Sequence, residues 1–208
     1  LRGLGHIFKT QSDTEVLLQG LIEWGQDCLP RLNGMFAFAW WDSEKKRLLL
    51  ARDRFGEKPL FYTRTPQGVV FASEIKALFP LLPQAPKLNQ DAIYSYLAHG
   101  DLEIAPHTFW DDIYSVRQAS QLAITEGEWL EKSYWMLEER NIDHQQPAEQ
   151  YRELFLDSLR LRARSDVPIG TCLSGGLDSS SIVCGLSYLE DQKRTQPTAR
   201  KTFSASYD

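Results

Sequence analysis

Ser174-Gly175-Gly176-Leu177-Asp178-Ser179-Ser180 stands between an apolar run, Val167 to Leu173, and a segment carrying Ile182, Val183, Leu186 and Leu189 on one helical face. A strand that turns at once into a helix, through adjacent glycines, limits the local fold to a strand–loop–helix unit. The glycines let the backbone turn sharply and present several N–H groups to one point in space. The hydroxyls of Ser174, Ser179 and Ser180 add donors, and the helix aims its positive dipole end at the same place. The stretch reads as a phosphate cradle built largely from neutral donors. The plain structural alternative is a Gly-Gly turn in which Asp178 or Ser179 merely caps the next helix.

Other glycine-serine motifs are excluded by what flanks this one. A Walker-type loop ends in Gly-Lys-Ser/Thr, and no Lys occurs between Pro168 and Asp191. A nucleophile elbow needs a glycine two residues before its serine, where Ser174 has Cys172. A dinucleotide fingerprint needs spaced glycines, whereas these are adjacent and no third follows before Gly185.

The net charge of −5 gives no basic footprint for nucleic acid or anionic membrane, and no apolar run approaches a membrane span. Three cysteines, Cys28, Cys172 and Cys184, without Cys-x-x-Cys spacing, indicate neither a disulfide framework nor a zinc site. Cys172 and Cys184 are expected to be buried as small hydrophobes. His6, His99, His107 and His144 show no metal-like spacing.

Ser12-Asp13-Thr14-Glu15 has the spacing of a capping box, so a helix is expected from there to about Cys28. Short aromatic or branched segments at Met35–Trp41, Arg47–Arg52, Pro59–Thr63 and Val69–Ser73, divided by turn residues, predict an antiparallel sheet with hairpins. Unbroken apolar character in Met35–Trp41 predicts a strand covered on both faces. Asn89–His99 reads as a short helix stopped by Gly100, and strands are expected around Leu122–Thr125 and Glu128–Lys132. The polar run Asn141–Pro147 marks a domain boundary, and an amphipathic helix, Ala148–Arg164, leads into the phosphate loop. Arg52-Asp53 reads as a turn or interface salt bridge, and Glu74 and Lys76 as solvated charges.

Ser-Gly-Gly-Leu-Asp-Ser-Ser resembles the pyrophosphate loop of the N-type ATP pyrophosphatases, which cleave ATP to AMP and pyrophosphate. Val167-Pro168-Ile169-Gly170 and Thr202-Phe203-Ser204-Ala205 resemble the first and second strands of the asparagine synthetase version. Ser12-Asp13-x-Glu15-Val16, Leu32 to Ala39, Arg52-Asp53-x-x-Gly56-x-x-Pro59-Leu60-Phe61-Tyr62 and Phe71 to Lys76 resemble the rear part of a class II glutamine amidotransferase domain. Together they make nearly the whole chain similar to glutamine-hydrolysing asparagine synthetase. The fold implied is α+β followed by α/β. A partial Ntn-type layered antiparallel sheet domain covers 1–140, and the start of a parallel-sheet, adenine nucleotide α-hydrolase-like domain covers 141–208.

The resemblance implies ATP binding by Leu173, Ser174, Gly175, Gly176, Leu177, Asp178, Ser179, Ser180 and Ala205, with Mg²⁺ contacted by Asp178 directly or through water. Asp13 would hold the glutamine α-amino group, although a first-turn Asp is equally favoured by the helix dipole alone. Leu173 and Ala205 could equally be plain core, and Ala205 departs from the branched residue usual there. The family's nucleophilic N-terminal Cys has no match, so no catalytic residue is assigned. The chain is expected to be an internal piece of a longer one and inactive alone. The whole protein would convert aspartate, glutamine and ATP to asparagine, glutamate, AMP and pyrophosphate through a β-aspartyl-adenylate. A β-lactam synthetase, a lasso-peptide cyclase or a non-catalytic module stays open. The implied partners are glutamine, aspartate and ATP, without nucleic acid or membrane; the reading admits a homodimer and a cytoplasmic setting.

Overall fold

The computed structural model describes residues 1–102, 104–139, 146–193, 195 and 201–205. The chain divides into two compact units, Leu1–Glu138 and Glu139–Asp208. Asn141 to His144 and residue 145, which form most of the expected boundary, lie outside the described residues.

The first unit opens with a helix, α1 (Asp13–Trp24), whose N-cap Ser12 accepts from the Thr14 N–H. Glu15 does not return the bond to Ser12 as a capping box would. Its carboxylate takes the Lys9 N–H at 2.8 Å, the Thr10 N–H at 2.7 Å and the Thr10 hydroxyl at 2.5 Å. These bonds, the Lys9 N–H first, hold the Glu15 carboxyl below its usual range. The helix ends at Gly25, and a 3-10 segment carries the chain to Arg31.

Six strands follow in two antiparallel hairpin-built groups, with a seventh, two-residue strand added to the smaller. β1 (Ala37–Asp42), β2 (Arg47–Arg52), β6 (Ser120–Ile124) and β7 (Trp129–Ser133) lie side by side in that order. The second sheet is ordered β4 (Gly68–Ala72), β3 (Phe61–Thr65), β5 (Tyr114–Ser115). Between β4 and β5 in the chain, α2 (Gln90–His99) is capped by the Asn89 side chain, and Gly100 stops it in the left-handed region.

The covered strand is β2, not β1. Leu50 packs with Leu60, Val116, Leu122 and Ile124, residues that join the two sheets, while Leu49 packs with Leu21 and Cys28 beneath α1. Burying both faces of β2 removes Leu49, Leu50 and Ala51 completely from water. β1 pairs only with β2 at the sheet edge, and Ala39 and Trp41 are exposed, against the expectation of two covered faces. Apolar content in a strand reports what could be covered; the neighbour on the far side decides what is.

In the second unit α3 (Pro147–Arg162) starts with Pro at its first turn. β8 (Gly170–Cys172) pairs in parallel with β9 (Lys201–Phe203), and α4 (Leu177–Asp191) is the crossover between them. Leu156 and Leu159 of α3 pack on Leu186 and Leu189 of α4. Contact is close because position 185 is glycine: a Cβ there would lie 2.5 Å from Leu159 Cδ1. Cys172 and Cys184 are exposed, against expectation: the apolar stripe of α4 runs through Leu186 and Leu189 and leaves Cys184 off it, while Cys172 lies in β8, which among the described residues pairs only with β9. Among the described residues no helix is long and apolar enough to cross a membrane.

Candidate functional site

The phosphate-loop residues are brought into one turn at the start of α4. Leu173 continues the parallel pairing past β8, its N–H donating to the Phe203 carbonyl at 2.8 Å. Gly175 takes φ +82°, a region that a side chain disfavours. Gly176 is the N-cap of α4, and no side chain caps the helix. This removes the capping alternative for both Asp178 and Ser179, which lie inside the first turn. Of the first-turn amides, that of Ser180 is already spent on the Gly176 carbonyl at 3.1 Å. The preceding amides of Leu177, Asp178 and Ser179 are the ones a helix leaves without an internal acceptor.

The hydroxyls divide into two sorts. Ser174 Oγ and Ser179 Oγ lie 3.1 Å apart, and the Ser179 hydroxyl also reaches the Gly176 carbonyl at 3.2 Å. These two brace the turn across its mouth, while Ser180 sits half-buried one residue further along. Asp178 and Leu177 are exposed, Leu173 is half-buried, and Ala205 is exposed two residues beyond Phe203. The arrangement of an uncapped helix start, a left-handed glycine and converging hydroxyls can bind a phosphate group.

Among the described residues no three His, Cys, Asp or Glu side chains form a metal-binding group. Asp178 is the one carboxylate of the turn. A single carboxylate fits Mg²⁺, which keeps several waters and takes the rest of its shell from substrate phosphates, and does not fit a cation caged by protein alone.

Asp13 stands exposed in the first turn of α1, in the other unit. The cysteine beneath that helix, Cys28, is buried, and burial pushes its thiol above the ordinary value while Arg31 opposes the shift. A thiol held neutral and out of reach is no nucleophile.

Arg52 and Asp53 do not form the turn salt bridge expected of them. Both are buried, and each bonds backbone instead. The Asp53 carboxylate accepts the N–H groups of Phe36, Phe55, Glu57 and Lys58 at 3.0 to 3.2 Å. The Arg52 guanidinium donates to the carbonyls of Gly56 at 2.6 Å, Lys58 at 2.9 Å and Val116 at 3.2 Å, and to Ser115 Oγ at 3.0 Å. Tyr134 adds its hydroxyl to the Arg52 carbonyl at 2.8 Å. This corner anchors β2 to β3 and β5; only the tertiary contacts reveal it, since its acceptors lie up to 64 positions away. Ser204 was also missed. Its hydroxyl donates to the Leu173 carbonyl at 2.7 Å, a bond that an isolated serine in a short strand does not announce.

A family model described as glutamine amidotransferase domain matches residues 1–135, and the chain belongs to that family. A second model, described as asparagine synthase, matches residues 150–208. Among curated relatives, asparagine synthetase [glutamine-hydrolyzing] 3 of Bacillus subtilis is 39% identical over 88% of this chain and 30% of its own length. Putative asparagine synthetase [glutamine-hydrolyzing] 2 of Methanocaldococcus jannaschii is 31% identical over 96% of this chain and 40% of its own length. The chain therefore spans well under half the length of these relatives. A solved glutamine phosphoribosylpyrophosphate amidotransferase of B. subtilis, complexed with ADP and GMP, aligns at 20% identity and a TM-score of 0.45, covering 92% of this chain and 40% of that one. The fold is the one the resemblance implied: α+β with layered antiparallel sheets in the first unit, then a parallel strand pair in the second.

Proposed function

We propose that this chain joins the rear of a glutamine amidotransferase domain, residues 1–140, to the leading phosphate-binding element of an ATP-cleaving ligase domain, residues 141–208. The whole enzyme then makes an amide at the expense of ATP: aspartate, glutamine and ATP become asparagine, glutamate, AMP and pyrophosphate by way of a β-aspartyl-adenylate. The observation that carries the reading is the Ser174–Ser180 turn, whose helix start has no side chain of its own in the N-cap position.

Charge gathers on pyrophosphate as it leaves the α-phosphorus. N–H groups and hydroxyls already aimed at that place stabilise it without reorganising. In this scheme Gly175, Gly176 and the first-turn amides hold the phosphates, Ser174 and Ser179 keep the turn in shape, and Ser180 adds a donor. Leu173 and Ala205 line the adenosine side. Asp178 is the residue that would hold Mg²⁺, which would supply neutralising charge to the phosphates when bound. In the other unit Asp13 offers a carboxylate to the glutamine α-ammonium.

Two assays on the full-length enzyme test this: ATP–pyrophosphate exchange with aspartate as the carboxylate, and glutamate release from glutamine. Aspartate-dependent exchange together with glutamate release upholds the reading. Exchange with another carboxylate and no glutamate release transfers it to a β-lactam synthetase or peptide cyclase, and no exchange with any carboxylate rejects it.

A further inference from the structure

The peptide groups that lead into the phosphate turn are gripped from the end of β9 and the residue after it in two different ways. The Leu173 N–H goes to the Phe203 carbonyl, which a parallel ladder supplies as a matter of course. The Leu173 carbonyl, in contrast, takes a side-chain hydroxyl, Ser204 Oγ, at 2.7 Å. No ladder requires that bond. It holds the peptide plane between Leu173 and Ser174, from which the whole turn hangs.

Beyond that plane the described restraints lie inside the turn itself, the Ser174–Ser179 hydroxyl pair and the Ser179 bond to the Gly176 carbonyl. The Gly176 N–H reaches Ser174 Oγ only at 3.5 Å, and the space a Cβ would occupy at Gly175 has no neighbour within 4 Å. Those bonds tie the turn to itself and to the start of α4, so its direction relative to β8 is set at its entry. We propose that Ser204 is a positioning residue of the phosphate turn, fixing the Leu173–Ser174 peptide so that the first-turn amides of α4 converge on one phosphate. This rests on the nucleotide reading of the preceding subsection. Ser204 touches no phosphate; it acts through the Leu173 carbonyl, and its own role needs only a donor at that point.

The test is ATP–pyrophosphate exchange in the full-length enzyme carrying S204A, S204T or, as a control within the turn, G175V. A net hydrogen bond of ordinary strength corresponds to roughly three- to tenfold in affinity. S204A is expected to raise KM for both ATP and pyrophosphate by that factor, with the thermal unfolding midpoint and the rate of glutamine hydrolysis unchanged. S204T keeps the hydroxyl and restores the wild-type KM. Wild-type KM values in S204A, alongside lost exchange in G175V, overturn the role of Ser204 and leave the nucleotide reading intact. An unfolding midpoint lowered in S204A, with no rescue by S204T, also overturns it, as plain loss of structure. Unaltered exchange in G175V removes the nucleotide reading itself, and Ser204 with it.

Discussion

Two turns in this molecule are built alike and filled differently. Both follow a strand, and both contain a glycine in the left-handed region, Gly56 at φ +67° and Gly175 at φ +82°. At the first, amides of Phe55, Glu57 and Lys58 converge on a carboxylate that belongs to the same turn, Asp53, and a fourth arrives from Phe36. At the second, the helix begins without any side-chain acceptor. The first turn has brought its own anion and is a structural corner. The second has none, and the proposal that it takes an anion from outside rests on that difference. Converging amides by themselves therefore say little about binding.

The comparison breaks most severely at Asp53. D53A removes the buried carboxylate that accepts four backbone N–H groups and is expected to cost about 4 kcal/mol of unfolding free energy. Urea unfolding of the first unit's signal measures it; a loss below about 1 kcal/mol would mean that the corner does not depend on its anion. Next comes the packing beneath the second turn. A methyl at position 185 would press on Leu159 at 2.5 Å, so G185A should lose roughly 1–3 kcal/mol, read from the unfolding of α3 and α4 by circular dichroism.

G175A sharpens the comparison more gently. Holding a Cβ in the left-handed region costs about 1–2 kcal/mol, felt as weaker pyrophosphate binding in the full-length enzyme and not as global instability. Calorimetric titration with pyrophosphate reports it, and unchanged affinity would show the turn to be as structural as its counterpart.

The smallest effect is at Tyr134. Burial pushes its phenol up to about 12 from 10, with Arg54 opposing the shift. Because the folded value is the higher, the stability it contributes is complete below pH 10 and is lost as pH rises toward about 12. Y134F should flatten that part of the stability–pH curve, while at neutral pH it loses only the bond to the Arg52 carbonyl, about 1 kcal/mol. Urea midpoints across the alkaline range distinguish the two variants.

Much of the local structure was legible in the chain. Ser12 and Asn89 start helices where their side chains suggest, Gly100 stops one, and the Arg47–Arg52 strand has the expected bounds. These signals work because caps and turns are satisfied by residues only a few positions away. β5 escaped notice because Tyr114 and Ser115 are too short a run to show alternation. The exposure of Cys172 and Cys184 escaped it because apolar character cannot say which side of an element meets a partner.

The site divides along the same line. The sequence alone determined that Ser174 to Ser180 form a glycine turn between strand and helix, because adjacent glycines and serines act locally on the backbone. Tertiary structure decided that Gly176 and not Asp178 stands at the N-cap, that Ser204 grips the turn's entry, and that the amides around Asp53 are already filled. The Ser204 contact spans 31 positions, beyond any rule of short-range spacing, whereas the Gly176 cap and most of the Asp53 bonds are local and turn on the backbone direction that packing imposes.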